Sequence, residues 1–297
     1  MNNKAKAHIA LLLTNIFFAI NLSAVKYLTI NNYVKPFGLN VIRVGVSMLL
    51  FWLLFLFKPA KAAIQKKDIP AFLLCALTGV AINQMLFIKG LSLTFSIHAV
   101  LLMLTTPILI TLFAAWVLNE KITPNKVFGL LLGITGAVVL IMQKQNTGSG
   151  ENILLGDILI LINAISYSVY FILVKPLMQQ YNPINVIRWV FTLGFFMVLP
   201  FGLSEFNEIN WQSFSSSAIS NLLLIVVGGT FLAYLLNVYG IKIVGASIAG
   251  AYIYSQPFFA AAIAMVFLHE RLEAYKIIAA VLIFAGVFIA NKKTRNA

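Results

Sequence analysis

GLSLTFSIHAVLLMLTTPILITLFAAWVLNEKI (residues 90–122) and GIKIVGASIAGAYIYSQPFFAAAIAMVFLHERL (residues 240–272) align without a gap, 150 positions apart in the chain. Both stretches carry a proline in the middle of an apolar run, Pro107 and Pro257, and an acid just after the run, Glu120 and Glu270. Apolar matches arise easily by chance in a chain that is 61% hydrophobic. A proline and an acid at the same spacing do not, so we interpret the two stretches as copies of one duplicated unit.

The duplication extends to the other apolar segments of each half. NIFFAINLSAVK (Asn15 to Lys26) resembles NAISYSVYFILVK (Asn163 to Lys175), and the tetrapeptide Asn-Val-Ile-Arg occurs at both 40–43 and 185–188. A run rich in glycine, serine and asparagine, which is typical of a flexible linker, lies between the halves. The sequence therefore predicts a first repeat over residues 1–142, a linker at 143–153 and a second repeat over residues 154–297.

The composition is that of an integral membrane protein. Charged residues make up 10% of the chain and the mean hydropathy is +0.95, whereas soluble domains carry about 25% charged residues. Ten apolar runs approach the roughly 20 residues that a helix needs to cross the hydrocarbon core. They lie at about 8–28, 37–57, 69–89, 95–118, 125–142, 154–174, 184–203, 218–239, 246–268 and 275–291. We predict an all-α integral membrane protein with ten transmembrane helices.

Each half contains five of these predicted spans. Because five is an odd number, the second repeat must enter the membrane from the face opposite to the first. Inverted repeats of this kind build many secondary transporters, in which the substrate site lies near the midplane where the repeats meet. We therefore expect a central cavity between two inverted five-helix repeats.

Basic residues determine the predicted orientation. The net charge is +13, and most lysines and arginines lie in short connections, thirteen on one side of the predicted membrane and six on the other. The richer side is expected to face the cytoplasm, which places both termini inside and the linker outside. Because topology explains the basic charge, we expect the lipid bilayer as a partner and no nucleic acid. The sequence defines no oligomeric state.

Several of these features together resemble the drug/metabolite transporter superfamily, EamA type. They are ten spans in two halves, the segment from Asn15 to Lys26, an arginine near the start of the second span, and the segments that end in Asn119-Glu120 and His269-Glu270. The similarity runs from about residue 8 to 291. It departs from the family at Phe18-Ala19, where a Trp-Gly pair is often found. The resemblance implies a multi-pass protein of the cell (inner or plasma) membrane that exports amino acids, metabolites or drugs.

Polar residues inside the predicted spans are the candidates for substrate binding. A polar group in lipid costs free energy unless it finds a partner or water, so these residues mark either a cavity or contacts between helices. As a group they are better explained by a water-filled cavity with mainly neutral polar and aromatic walls. The candidates are Asn15, Asn83, Gln84, Asn163, Tyr167, Tyr234, Asn237, Tyr252 and Gln256.

Two further sets of residues have predicted roles near the ends and bends of the spans. The charged residues Arg43, Arg188, Lys26 and Lys175 are predicted to serve as gates at the cavity mouths or as anchors. Pro107, Pro257, Glu120 and Glu270 are predicted to be structural, because prolines kink helices and acids favour a helix N-terminus.

No constellation for catalysis is present in the sequence. The chain has three histidines, the single cysteine Cys75, no Gly-x-Ser-x-Gly and no phosphate-binding loop, so we expect no enzyme, no metal site and no cofactor. No Asp or Glu is expected deep within a span, which argues against a carboxylate proton relay. Facilitated diffusion or exchange is therefore favoured, with His98 as the other candidate proton carrier.

The predicted function is export of small polar or amphipathic metabolites, such as amino acids, by alternating access. Two alternatives remain open at the level of sequence. A translocase for lipid-linked sugars would need a lateral opening toward the bilayer. A membrane scaffold that transports nothing would have a packed centre without a cavity.

Overall fold

The computed structural model describes residues 3–57, 64–117, 124–142, 152–244, 249, 252–256, 259, 263 and 273–291. Over these residues the chain is helical and contains no strand. The helices are α1 (Asn3–Ile30), α2 (Pro36–Phe57), α3 (Lys66–Leu93), α4 (Ser96–Met103), α5 (Thr106–Val117), α6 (Pro124–Met142), α7 (Ile153–Gln180), α8 (Pro183–Asn207), α9 (Ser216–Val244) and α10 (Ala274–Asn291).

Six of these helices are long and apolar enough to cross a membrane: α1, α2, α3, α7, α8 and α9. They correspond to the first three and to the sixth, seventh and eighth predicted runs. The other four helices do not correspond to four separate predicted spans, because α4 and α5 both lie in the fourth run. Most of the ninth run, with Pro257, lies outside the described residues, as do Glu120 and Glu270. The described part of the chain is therefore a multi-pass helical membrane protein.

Polar caps and prolines define several helix boundaries. The side chains of Asn152, Asn182 and Ser215 accept hydrogen bonds from backbone N–H groups in the first turns of α7, α8 and α9. These groups have no partner within the helix, so a polar cap stabilises each start. Pro183 occupies the first turn of α8, where a missing N–H costs nothing. Just after α1, Asn32 has a φ of 54°, a left-handed conformation that asparagine tolerates better than most residues.

The fourth predicted run is broken rather than kinked. α4 ends at Met103, Leu104 and Thr105 form a turn, and α5 begins at Thr106. Pro107 therefore lies in the first turn of α5, where its fixed φ fits a helix start and its missing N–H breaks no helical bond. The sequence predicted a structural role for this proline within one continuous span, and the structure shows two shorter helices instead.

Two π-helical segments interrupt the long helices at matching places in the two halves. They are Leu77–Ala81 in α3 and Leu224–Leu232 in α9. Each contains a glycine at which another helix passes closely. A Cβ on Gly79 would lie 2.3 Å from the Tyr170 ring, and a Cβ on Gly229 would lie 2.5 Å from the side-chain oxygen of Asn21. Glycine is required at both positions because any side chain would collide with the crossing helix.

The helices of the two halves interleave. α1 packs along α9, α3 along α7, α2 along α8 and α6 along α10, so each of these pairs joins one half of the sequence to the other. The buried apolar core is likewise shared, with Leu22 and Ile88 from the first half in one cluster with Ile160 and Ile225 from the second. This arrangement leaves the inner faces of α1, α3, α7 and α9 around a common centre.

At one end of the α2 and α8 pair, an acid of α8 caps the start of α2. One carboxylate oxygen of Glu205 accepts hydrogen bonds from the backbone N–H groups of Phe37 at 2.6 Å and Gly38 at 2.9 Å. Nearby, Lys35 and Glu208 form an exposed ion pair. Their hydrogen bond raises the pKa of Lys35 and lowers the pKa of Glu208. Both groups are therefore charged at neutral pH, but solvent screens their attraction.

Replacing Glu205 tests the importance of this cap. Glu205→Ala removes the acceptor of two backbone donors at the positive end of a helix, and we expect a loss of about 1 to 2 kcal/mol in stability. The unfolding midpoint of purified protein in detergent, followed by tryptophan fluorescence on heating, measures the effect. Glu208→Ala is the matched control and should leave the midpoint close to that of the parent. An equal drop in both variants would contradict the role of Glu205 as a cap.

Candidate functional site

A cavity lies at the centre of the helix arrangement. It has two compartments, with cavity volumes of about 50 Å³ and about 20 Å³. Phe18, Met103, Tyr167 and Gln256 line both compartments, so the two are continuous. These volumes are well below the roughly 300 to 1,000 Å³ that is usual for small-molecule sites, so in this conformation the polar centre holds water-sized space rather than a whole substrate.

Eight of the nine residues predicted to bind substrate line this cavity. Those in the first compartment are Asn83, Gln84, Asn163, Tyr167, Tyr234 and Gln256. The second compartment adds Asn15 and Asn237. Tyr252 does not line either compartment, and its hydroxyl instead forms a 2.8 Å hydrogen bond with Nδ1 of His8.

Helices α3 and α9 are linked directly across the cavity. The side-chain N–H of Gln84 donates to the hydroxyl of Tyr234 over 3.3 Å, and the two residues occupy equivalent positions in the repeats. Both follow the π-helical segments of their helices by a few residues.

Amide side chains around the cavity donate hydrogen bonds through their N–H groups to other atoms of the protein. Some of their oxygens accept no hydrogen bond from the described residues. Asn163 donates to the carbonyl oxygen of Asn83 at 2.6 Å, and Gln84 donates to Tyr234. The side-chain oxygens of Asn21, Gln84 and Asn163 are buried and have no hydrogen-bond partner among the described residues. An amide oxygen has two lone pairs, so these three groups can accept hydrogen bonds from a cationic or neutral donor of a ligand.

Arg43 brings a positive charge to the cavity wall. It is 3% exposed, and its Nε donates to the hydroxyl of Thr230 in the π-helical segment of α9 at 3.1 Å. Its Nη1 is buried without a hydrogen-bond partner in the described part of the chain. None of the described residues that line the two compartments is an acid. The cavity therefore presents a guanidinium whose charge no lining carboxylate balances.

Arg188, the other arginine in the Asn-Val-Ile-Arg tetrapeptides, lies in a different environment. Its guanidinium carbon is 4.3 Å from the centre of the Trp52 ring and 3.6 Å from that of Phe55, so it is held by cation–π contacts. It is buried and does not line the cavity. The sequence left open whether each arginine is a gate or an anchor. Arg43 lines the cavity, whereas Arg188 lies against aromatic rings away from the two compartments, as an anchor does.

The two lysines also differ. Lys26 is buried and donates a hydrogen bond to the carbonyl oxygen of Thr94, whereas Lys175 is exposed. The hydroxyl of Thr94 in turn donates to Asp157, an acid of α7 that is 0% exposed. The expectation that no Asp or Glu stands in the middle of a span is not contradicted, because Asp157 lies near the start of α7, but the burial of this acid was not expected. Asp157 stands four residues into α7, close enough to the predicted span end to be taken for a boundary residue.

Some cavity residues were not predicted. Asn21 and Phe18 are among them, and both carried a signal in the sequence. Asn15, Phe18 and Asn21 follow one another at intervals of three residues, which places them along one face of a helix. Met103 carried no such signal, because it is one apolar residue within a continuous apolar run.

The arrangement of helices is found in solved structures. A protein crystal structure matches 96% of this chain and 96% of its own length with a TM-score of 0.65 at 20% sequence identity. At this level of identity the match concerns the fold alone. It extends over both halves of the chain.

The sequence also has curated relatives that are named as transporters. The uncharacterized transporter YetK of Bacillus subtilis is 26% identical over 84% of this chain and 76% of its own length. A probable terminal-alkyne amino-acid exporter of Streptantibioticus cattleyicolor is 26% identical over 77% of this chain and 75% of its own length.

A family model matches the chain twice, over residues 5–142 and 154–292, and its description is the EamA-like transporter family. The two matches cover nearly all of the sequence. They confirm the resemblance to the drug/metabolite transporter superfamily, whose members are transporters. This chain belongs to the EamA-like transporter family.

Proposed function

We propose that the protein is a secondary exporter of α-amino acids, which it carries by alternating access through the central cavity. The observation that carries this proposal is that one compartment is lined both by the guanidinium of Arg43, which no lining carboxylate balances, and by three amide oxygens without donors. A carboxylate is the usual partner of a buried guanidinium, and an ammonium group is a suitable donor for amide oxygens. An α-amino acid carries both groups on one carbon.

The cavity wall supports the same substrate class. In the proposed complex, the carboxylate of the substrate lies at Nη1 of Arg43. The ammonium group of the substrate lies at the side-chain oxygens of Asn21, Gln84 and Asn163. The side chain then lies against Phe18, Phe87 and Met103, which are apolar. Arg43 therefore adds a charged group to the neutral polar and aromatic residues that the sequence predicted for substrate binding. The printed name of the Streptantibioticus relative, an amino-acid exporter, agrees with this substrate class.

Matching contacts in the two halves support inverted repeats. In the register that pairs Lys26 with Lys175, Thr14 is equivalent to Asn163. Asn163 donates to the carbonyl oxygen of Asn83, and Thr14 donates to that of Ala233 at 3.3 Å, which is the equivalent position. The Gly79 and Gly229 crossings described above are related in the same way.

We extend this relation to ten spans in two repeats, 1–142 and 154–297, that are joined by the linker at 143–153. The two matches of the family model, one in each half, support these limits. Alternating access then follows from exchange of the two repeats between equivalent arrangements around the cavity. The distribution of basic residues supports cytoplasmic termini in a cell membrane.

Substitution of Arg43 tests the recognition of a carboxylate. In proteoliposomes, uptake of radiolabelled leucine, phenylalanine and threonine is measured against internal unlabelled amino acid, with the amino acid or its carboxamide as competitor. The parent should prefer the acid to the amide by about ten- to hundredfold, since a hydrogen bond to a charged group contributes about 1.5 to 3 kcal/mol. Arg43→Gln should reduce this preference to about threefold or less, and Arg43→Lys should restore part of it.

Arg188→Gln is the matched control, because it removes the same side chain from the same tetrapeptide away from the cavity. It should keep the preference for the acid. The proposed substrate class is refuted if the parent takes up none of the amino acids. It is also refuted if Arg43→Gln prefers the acid to the amide as strongly as the parent does. Competition by lipid-linked sugars in place of amino acids would favour a translocase.

The proposed orientation is tested by cysteine labelling in a background in which Cys75 is replaced by alanine. Ser149→Cys, in the linker, should react with a membrane-impermeant maleimide added to intact cells. Lys61→Cys should react only after the membrane is opened, because basic loops favour the cytoplasm. The reverse pattern would invert the topology.

A further inference from the structure

Four helices and the residue that follows α3 meet at a buried polar cluster outside the cavity, made of Lys26, Thr94, His98, Asp157 and Tyr275. Lys26 donates to the carbonyl oxygen of Thr94, and the Thr94 hydroxyl donates to Oδ1 of Asp157. Nδ1 of His98 lies 3.0 Å from Oδ2 of Asp157, and its Nε2 lies 3.4 Å from the hydroxyl of Tyr275. The cluster therefore links α1, the residue after α3, α4, α7 and α10.

The burial of this cluster indicates more than a role in packing. Lys26, Thr94, His98 and Asp157 are at most 1% exposed, and Tyr275 is half-buried. Ionisable groups inside membrane spans are costly, and those that persist usually serve transport of ions or protons. An acid that is hydrogen-bonded to an imidazole is a common arrangement for holding and releasing a proton.

The equivalent end of the other repeat lacks such a cluster in the described residues. Lys175, the counterpart of Lys26, is exposed. In the same register the counterpart of Asp157 is His8, which bonds to Tyr252. The fold therefore does not need a buried acid at this position in both repeats, and the cluster is a specific feature of one end.

The geometry identifies the atom that takes the proton. Asp157 lies in the first turns of α7, where the helix dipole favours a negative charge, and it accepts a hydrogen bond from Thr94. An ionised Asp157 accepts from His98, which places the imidazole hydrogen on Nδ1 and leaves the lone pair on Nε2. A proton that binds Nε2 turns this atom from an acceptor for the Tyr275 hydroxyl into a donor to it.

Few other charges act on the pair. Lys26 approaches from α1, and Glu273, at the exposed start of α10, acts on Tyr275. α3 contributes the carbonyl and hydroxyl groups of Thr94, and the described side chains of α6, which also packs beside α4, are uncharged. His98 and Asp157 are therefore the pair on which a proton bound within the cluster acts most directly.

Two helices connect the cluster to the cavity. α4 carries His98 and, five residues later, the cavity residue Met103. α1 carries Lys26 and, five residues earlier, the cavity residue Asn21. A change in how tightly the cluster holds these helices together therefore acts directly on two walls of the cavity.

We propose that His98 and Asp157 form a proton-binding site that couples the conformation of the transporter to protons. A proton on His98 strengthens its attraction to Asp157 in a low-dielectric site and holds α4 against α7 and α10. Loss of the proton weakens this contact and favours opening of the cavity at this end. This inference does not depend on which substrate the cavity binds.

The test measures access to the cavity without any substrate. In the background with alanine at position 75, Met103→Cys is labelled with an impermeant thiol reagent from each side of sealed membrane vesicles. Its rate is divided by that of the exposed Gln212→Cys, which corrects for the effect of pH on thiol reactivity. From the side on which the linker is labelled, the ratio should fall at least threefold between pH 8 and pH 5.5.

His98→Gln and Asp157→Asn should make the ratio independent of pH. His8→Gln, which removes the histidine at the opposite end, is the matched control and should keep the pH dependence. A ratio that does not change with pH in the parent, or a dependence that survives His98→Gln, would overturn the proposal. If the pH dependence holds but no amino acid is transported, the proton site stands and the proposed substrate class fails.

If the His98 and Asp157 variants do not fold, the histidine side chains of the parent decide the question. Nuclear magnetic resonance of histidine-labelled protein follows each ring between pH 5 and 8.5, with His8→Gln and His269→Gln used to assign the signals. A titration of His98 in this range is expected. The absence of any His98 titration would refute the proton site.

Discussion

The close crossing of helices at two glycines is the constraint on which the centre of the molecule depends. Gly79 lets α7 pass α3 at the Tyr170 ring, and Gly229 lets α1 pass α9 at Asn21. Both glycines lie in π-helical segments, where an inserted residue changes the direction of the side chains that follow. Gln84 and Tyr234, a few residues further on, then face each other across the cavity.

In a bilayer, the polar groups at this centre must form hydrogen bonds with one another or with a ligand, because lipid tails offer no hydrogen-bond partners. Asn163 and Thr14 donate to backbone carbonyls in or next to these irregular segments, and Thr230 bonds to a carbonyl five residues earlier. The donors are thus used in holding the helices together. The acceptors of Asn21, Gln84 and Asn163 remain, so the structure leaves a set of groups that a ligand with N–H donors can satisfy.

Much of the fold could be predicted from the sequence, because membrane insertion depends on the length and hydropathy of local segments. The six long helices and most of the cavity residues follow from that pattern and from the repeat. The break between α4 and α5 does not follow from hydropathy, because Thr105-Thr106-Pro107 is too short to interrupt the apolar run on either side of it. A break in backbone hydrogen bonding leaves no mark on hydropathy.

The roles of the two arginines show why identical motifs diverge. Arg43 bonds to Thr230, whereas the equivalent position in the other repeat is Val80, which has no group to accept a hydrogen bond. Arg188 is instead surrounded by Trp52 and Phe55. The difference lies in the partner helix, so it cannot be seen in the tetrapeptide alone. The difference between Thr230 and Val80 can be read from the sequence once the contact between the two helices is known.

The buried Lys26 and its exposed counterpart Lys175 have a consequence for the energetics of transport. A transporter made of two identical inverted halves would have inward-facing and outward-facing forms of equal free energy, and its empty molecules would divide evenly between them. Contacts present at only one end remove that equality. A difference of about 1.4 kcal/mol already shifts the ratio of the two forms tenfold. In the alternating access proposed above, the sequence differences between the halves would therefore determine which of the two forms the empty carrier prefers.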